Sequence, residues 1–194
     1  MTLYIWRHPT PLNATGLCLG QTDVEVDKRK LRRLANQIQR FARRNRLEKV
    51  IWVSPLQRSL GVGKILAQRG FRCEVTPALA EVDFGHWDGR PWQQIPRAEM
   101  DLWCEQFADY APSGGENLRQ LFARVALWLA ALPDTPRLAV GHAGWINAAR
   151  LLVAGRSVPT AAGDWPRPVA YRALIRLTIP TVLPAPVPPP PESC

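Results

Sequence analysis

Two arginines and two histidines carry the chemistry that this sequence offers. The run Leu3-Tyr4-Ile5-Trp6-Arg7-His8-Pro9-Thr10 is apolar up to an Arg-His pair and is then closed by proline. Proline gives no N–H to a sheet ladder, so a strand stops beside His8. Open α/β sheets place their ligand crevice at the C-terminal ends of strands. Arginine supplies a permanent charge and a planar fork of donors that suits phosphate oxygens. A neutral imidazole has a bare nitrogen able to attack phosphorus. The pair therefore reads as a phosphoryl-accepting His8 with Arg7 holding the phosphate. Strand alternation sends neighbouring side chains to opposite faces, so both reach one ligand only if the backbone turns at His8. Taken alone, the pair also fits a chance surface placement, and the case rests on the rest of the chain.

The same setting recurs. Leu138-Ala139-Val140-Gly141 runs straight into His142, and Val50-Ile51-Trp52-Val53 runs into Ser54-Pro55-Leu56-Gln57-Arg58-Ser59. Ser54 followed by proline reads as a helix N-cap with Pro55 at the first helical position. Arg58 then lies in the first turns, where free N–H groups and the helix dipole favour an anion. In a parallel sheet all these strand ends open on one edge. Two arginines, two histidines and a helix N-terminus there make a dianion site. Singly, Arg58 also fits a solvated helix residue, and His142 a hydrogen-bonded core histidine.

The elements that must position these residues follow from periodicity. The expected strands are Leu3–His8, Leu47–Val53, Phe71–Thr76, Leu138–Gly141 and Ala173–Ile179. Leu31, Leu34, Ala35, Ile38, Phe41 and Ala42 recur at helical spacing, as do Leu118, Leu121, Phe122, Val125, Leu129 and Leu132. Further helices are expected from Pro55 to about Gln68 (with Gly70 as its stop), from Pro96 to Phe107, and from about Trp145 to Val153; the Leu118 helix should begin at Gly115. Strands alternating with helices imply an α/β fold, a three-layer α/β/α sandwich around a mainly parallel central sheet. Residues 1–179 read as one domain. Residues 78–114, irregular and rich in Trp, Pro and Gly, read as a lid-like insertion over the sheet edge. Residues 180–194, crowded with proline, read as a disordered or polyproline II tail.

Composition narrows the classes. The net charge is +9, and Lys28 to Arg46 holds nine Lys or Arg with no Asp or Glu, so the excess lies on one helix. No apolar run is long enough to span a membrane. No secretory signal pattern opens the chain, which points to a cytoplasmic protein with reduced thiols. Cys18, Cys73, Cys104 and Cys194 form no Cys-x-x-Cys pair, which gives zinc-ribbon or thioredoxin-like chemistry little support.

The ordered set Arg7-His8, Ser54-Pro55-Leu56-Gln57-Arg58-Ser59, Leu79–Gly89, Gly114-Gly115-Glu116 and Val140–Gly144 resembles the histidine phosphatase (phosphoglycerate mutase-like) superfamily over most of residues 3–179. The stretch Gly16–Asp23 resembles its α-ribazole phosphatase-like branch, which serves cobalamin assembly. The resemblance implies a phosphoglycerate mutase-like fold and a metal-independent phosphomonoesterase with no cofactor. His8 becomes phosphohistidine; Arg7, Arg58 and His142 clamp the phosphoryl oxygens; Glu81 is the proton donor. Fixed cations then do what a metal ion does at many phosphoryl-transfer sites. His142 is expected to be cationic or bonded to phosphate. Relatives place Asn and Thr soon after the first histidine to touch phosphate, which suggests Asn13 and Thr10 here. His86 fills a variable position and receives no role. The implied partner is a small-molecule phosphomonoester, with α-ribazole 5′-phosphate as candidate.

Departures mark the limits of the resemblance. Pro9 stands where Gly is usual, removing a backbone N–H, and Asn117 follows Glu116 where Ser is usual. Trp87, Trp92, Trp103 and Phe107 either line a lid over an aromatic leaving group or pack the insertion. Asp23 also fits a loop cap. Alternatives are a phosphoglycerate mutase or a broad-specificity phosphatase, a catalytically silent phosphate binder, and a nucleic-acid-binding module using the basic helix.

Overall fold

The computed structural model describes residues 1–180. The expected tail thus lies outside the described residues, Pro180 apart. Five strands form one sheet in the order β3-β2-β4-β1-β5: β1 (Thr2–Arg7), β2 (Val50–Val53), β3 (Arg72–Val75), β4 (Arg137–Gly141) and β5 (Leu174–Thr178). The β1–β4, β4–β2 and β2–β3 pairs are parallel, and β5 alone runs antiparallel, along β1.

Both sheet faces are covered. Trp6, Ile51, Val53, Leu138 and Val140 pack with α1 (Lys28–Arg44) and α2 (Gln57–Ala67). Leu3, Ile5 and Ala139 pack on the opposite face with α4 (Leu118–Ala130) and α5 (Ala143–Val153). Alternate residues of β1 serve opposite layers, as a strand buried on both faces requires. The fold is thus the three-layer α/β/α sandwich with a mainly parallel sheet. No helix among the described residues is long and apolar enough to cross a membrane.

Several expected boundaries shift for local reasons. β2 begins at Val50, because Leu47 to Lys49 lead out of the turn that follows α1. The residue at the N-cap of α2 is Leu56, and it makes no side-chain cap bond. Ser54 is not the cap: its N–H donates to Ser59 Oγ at 3.1 Å, and its hydroxyl faces another partner. Asp23 serves the helix from a distance by accepting the Gln57 N–H at 2.6 Å. α4 begins at Leu118, not Gly115. Asn117 and Gln120 form a reciprocal capping box there, so Asn in place of Ser keeps a good capping oxygen. α5 begins at Ala143, directly after His142.

Between β3 and α4 lie short 3₁₀ turns and α3 (Arg97–Glu105), which ends two residues earlier than expected. Val82 and Phe107 of this stretch join the core beside α4 and α5, while Cys18, Trp87 and Ile95 form a small core of their own.

Strand order then fixes where a ligand belongs. β1 leads to α1 on one face of the sheet, and its neighbour β4 leads to α5 on the other. Connections that part in this way open a crevice beyond the strand ends. The parallel ladder ends at the pair Arg7 and Gly141, and His8 N–H still donates to Gly141 O at 3.0 Å. His8 and His142 therefore emerge side by side.

Candidate active site

His8 is 3% exposed, with its ring centroid 5.0 Å from that of His142. Its Nδ1 lies 2.8 Å from Pro9 O. A carbonyl only accepts, so Nδ1 carries the proton and Nε2 of the neutral ring holds a bare lone pair. Burial first, then the charge of Arg58 and of Arg7, pushes the His8 pKa well below 6.5, against the opposing Pro9 hydrogen bond. Pro9 lacks an N–H, yet its carbonyl orients the ring.

His142 is fully buried, and Arg58 Nε donates to its Nδ1 at 3.2 Å. That nitrogen must then accept, which puts the ring proton on Nε2, 2.7 Å from Ser54 Oγ. Burial, then Arg58, His8 and Arg7, pushes this pKa well below 6.5 too. Burial and the neighbouring positive charge disfavour the imidazolium, and the two ring nitrogens face Arg58 and Ser54. In this arrangement the Ser54 hydroxyl proton is left free for another acceptor.

Both histidines are held neutral in the fold and protonate more readily when unfolded. Below about pH 6.5 the unfolded chain binds more protons, so stability falls as pH falls. Each ring contributes a slope approaching about 1.4 kcal/mol per pH unit. Denaturant unfolding between about pH 7 and about pH 5 is expected to show this loss. A flat profile there would mean that the rings are not buried as neutral groups.

Arg58 is nearly fully buried and donates through Nη1 to Thr22 O at 2.9 Å and through Nη2 to Gly20 O. The loop offering those carbonyls is held by Asp88. Its carboxylate accepts the N–H groups of Gly20, Gln21 and Thr22 at 3.0, 2.5 and 3.1 Å. A side chain at residue 20 would put Cβ 2.3 Å from Val82 O, so only glycine fits. Much of the Gly16–Asp23 stretch thus serves to anchor an arginine. Arg7 donates through Nη1 to Val169 O at 2.6 Å, and its buried Nε has no partner among the described residues. Tyr171 lies beneath this guanidinium and beside His8. Burial lowers the pKa of both arginines, and the Glu81 carboxylate is among the groups opposing this, which places it within their field.

Glu81 is buried against the start of α5. Its Oε1 accepts the N–H groups of Val82 and Trp145, and Oε2 accepts that of Gly144, each at 3.1 Å. Because α5 begins at Ala143, Gly144 and Trp145 have first-turn N–H groups to give. A Cβ on Gly144 would meet Glu81 Oε1 at 2.6 Å, so the glycine admits the carboxylate. Arg124 braces the same segment by donating to Ala78 O and Ala80 O, both at 3.0 Å. A carboxylate has four lone pairs. Three are taken, and the open one is on Oε2.

Glu81 also borders an apolar cavity of about 220 Å³, walled by Phe84, Trp92, Trp103, Phe107 and Trp165 among others. Trp92 and Trp103 stack at 6.1 Å, 15° from parallel. Trp87 does not line it; the ring is fully buried, and its Nε1 donates to Glu99 Oε2 at 2.5 Å. His86 is an outer partner of the same Glu99.

The structure thus brings Arg7, His8, Arg58, Glu81 and His142 into one neighbourhood. It leaves Thr10 and Asn13 exposed on the loop after β1, where neither side chain forms a hydrogen bond among the described residues. Ser54, Asp88, Arg124 and Tyr171 belong to the site or its support without having been singled out for it from the sequence. Ser54 shows the one usable signal, its position directly after β2 on the sheet edge where His8 and His142 emerge. Among the described residues no three His, Cys, Asp or Glu side chains gather as a metal site would need.

Fold and site together define an α/β protein whose switch-point crevice sets a buried neutral imidazole among guanidinium groups and one carboxylate. The chain belongs to the histidine phosphatase superfamily, branch 1, whose family model matches residues 3–174. Among solved structures it is similar to an α-ribazole phosphatase from Shigella flexneri, with 22% identity, a TM-score of 0.74, and coverage of 93% of this chain and 91% of that one. A mycobacterial glucosyl-3-phosphoglycerate phosphatase in complex with VO3 gives 25% identity, a TM-score of 0.72, and coverage of 91% and 92%. A putative α-ribazole-5′-P phosphatase from Escherichia coli gives 22% identity, a TM-score of 0.69, and coverage of 91% and 89%. No curated protein matches the chain.

Proposed function

We propose that this protein is a metal-independent phosphomonoesterase acting through a phosphohistidine on His8. The observation that carries this reading is the Pro9 hydrogen bond, which leaves Nε2 unprotonated inside a cluster of fixed positive charge. In the first step Nε2 attacks phosphorus, and the bond to the leaving oxygen breaks. That oxygen takes a proton from Glu81 Oε2. In the second step water attacks the phosphohistidine while Glu81 takes the water's proton, releasing inorganic phosphate and restoring His8. Arg7 and Arg58 stabilise the phosphoryl oxygens throughout, a role that in phosphoryl transfer outweighs covalent assistance.

The leaving group takes the side of Glu81, and the cavity there is aromatic. This supports a substrate whose alcohol carries a planar apolar ring, and α-ribazole 5′-phosphate is a member of that class. The test is a panel of phosphomonoesters with and without EDTA. Aryl-bearing esters are expected to exceed small sugar phosphates by roughly ten- to hundredfold in kcat/KM, on the scale of one well-filled apolar pocket. EDTA is expected to leave the rates unchanged. Replacing Trp103 by alanine should erase most of the preference and spare the small esters. Conversion of 3-phosphoglycerate without phosphate release would instead identify a mutase, and EDTA inactivation would remove the metal-independent mechanism.

A further inference from the structure

The segment between α5 and β5 had no assigned role, yet it delivers an aromatic ring to the centre of the site. Tyr171 sits with its ring centroid 3.7 Å from Arg7 Cζ and 5.5 Å from the His8 ring centroid. At this separation the guanidinium carbon lies over the ring, a cation–π contact. The segment is clamped in place. Arg7 N–H donates to Ala173 O at 3.1 Å, and Arg172 N–H donates to Arg7 O at 3.0 Å. Arg172 adopts φ +62°, a backbone conformation that a side chain disfavours. Such strain persists where the surroundings over-determine it and is concentrated at functional sites.

A second contact fixes the same guanidinium in its plane. Val169 O accepts Nη1 at 2.6 Å, so one edge of the fork is tied to the protein. The Nε edge is left, and Nε is buried with no partner among the described residues. A buried charged donor without an acceptor is costly, and in native proteins such groups call for an explanation. Nε itself has no exposed surface, so an incoming oxyanion meets this edge at the neighbouring Nη2, which has no hydrogen bond among the described residues.

We infer that Tyr171 is a positioning residue for the anion site: its ring holds the Arg7 guanidinium so that the Nε edge meets a phosphoryl oxygen. Val169 O sets the rotation about the side chain, and the ring sets the plane. The inference rests on the phosphomonoesterase reading only in taking Arg7 as a phosphate ligand. The tyrosine hydroxyl has no part in it.

The experiment is calorimetric titration of the whole protein with inorganic phosphate, which needs no turnover. Tyr171 is partly exposed, so substitution should leave the fold intact, and thermal melting checks this. Tyr171→Phe keeps the ring and is expected to bind phosphate as the wild type does. Tyr171→Leu keeps apolar bulk without the ring and is expected to bind roughly three- to thirtyfold more weakly, the range of one cation–π contact. Unchanged binding in Tyr171→Leu overturns the inference while leaving the anion site standing. Equal loss in Tyr171→Phe and Tyr171→Leu also overturns it, because the hydroxyl would then be the active group. Wild-type protein that binds no phosphate overturns the anion site and this inference with it.

Discussion

Replacing His8 by alanine or asparagine is expected to lower phosphate release by roughly 10⁴-fold or more, the scale seen when a covalent nucleophile is removed. Asparagine is the sharper variant. Its side-chain amide can still donate to Pro9 O, so the local hydrogen bond survives while the attacking nitrogen is lost. Alanine empties a buried site and costs about 1–3 kcal/mol of stability as well, which muddles the reading. Wild-type enzyme mixed with labelled substrate and quenched in alkali should retain protein-bound phosphate that acid releases, and neither variant should retain any. The nucleophile is needed at neutral pH, where the depressed His8 pKa keeps the ring unprotonated. Acidification through the ordinary histidine range should therefore leave the wild-type attack step largely unaffected, with loss only at lower pH. Full turnover by His8→Asn would remove the covalent mechanism.

Glu81→Gln is expected to reduce kcat on alkyl phosphates by roughly 10²–10⁴-fold, the usual contribution of a positioned acid. On p-nitrophenyl phosphate, whose leaving group needs little protonation, the loss in the first step should be far smaller. That contrast is the diagnostic, because a general loss of structure would slow both esters alike. The amide also meets a geometric obstacle. Oε1 and Oε2 both accept backbone N–H groups. A glutamine must turn its NH₂ toward at least one of them. The resulting donor–donor meeting costs about 1–3 kcal/mol, so a lowered melting point is expected as well. Equal losses of the two esters in the first step, read from the burst of released alcohol, would strip Glu81 of its acid role.

Much of this site was readable in the sequence because its charged residues stand where apolar strands end. His8 and His142 follow β1 and β4 without an intervening residue, and a parallel sheet then aligns them. Glu81 was reachable only through family resemblance. It sits in an irregular stretch, and its place is set by contact with the first turn of α5, more than sixty residues away in the chain. Ser54 was misread because Ser-Pro is a local capping signature, and local rules cannot see that the hydroxyl is drawn to His142. The surroundings of His142 are hidden from the sequence for a similar reason. Its pKa is lowered first by complete burial and then by the arginine touching the ring, neither of which a spacing rule reports. The segment 154–172 has no apolar period, so Tyr171 had nothing to announce it. Asp88, which ties down the Gly20–Thr22 loop, acts across sixty-six to sixty-eight positions.

The Pro9 carbonyl carries one more consequence. Because it belongs to the backbone, no side-chain substitution at that position takes it away. A ring anchored there through Nδ1 presents only its far nitrogen, so the proposed phosphorylation is expected to be regiospecific. On the proposed mechanism the covalent species is expected to be the tele isomer, and a pros-phosphorylated His8 would require the ring to leave its tether first.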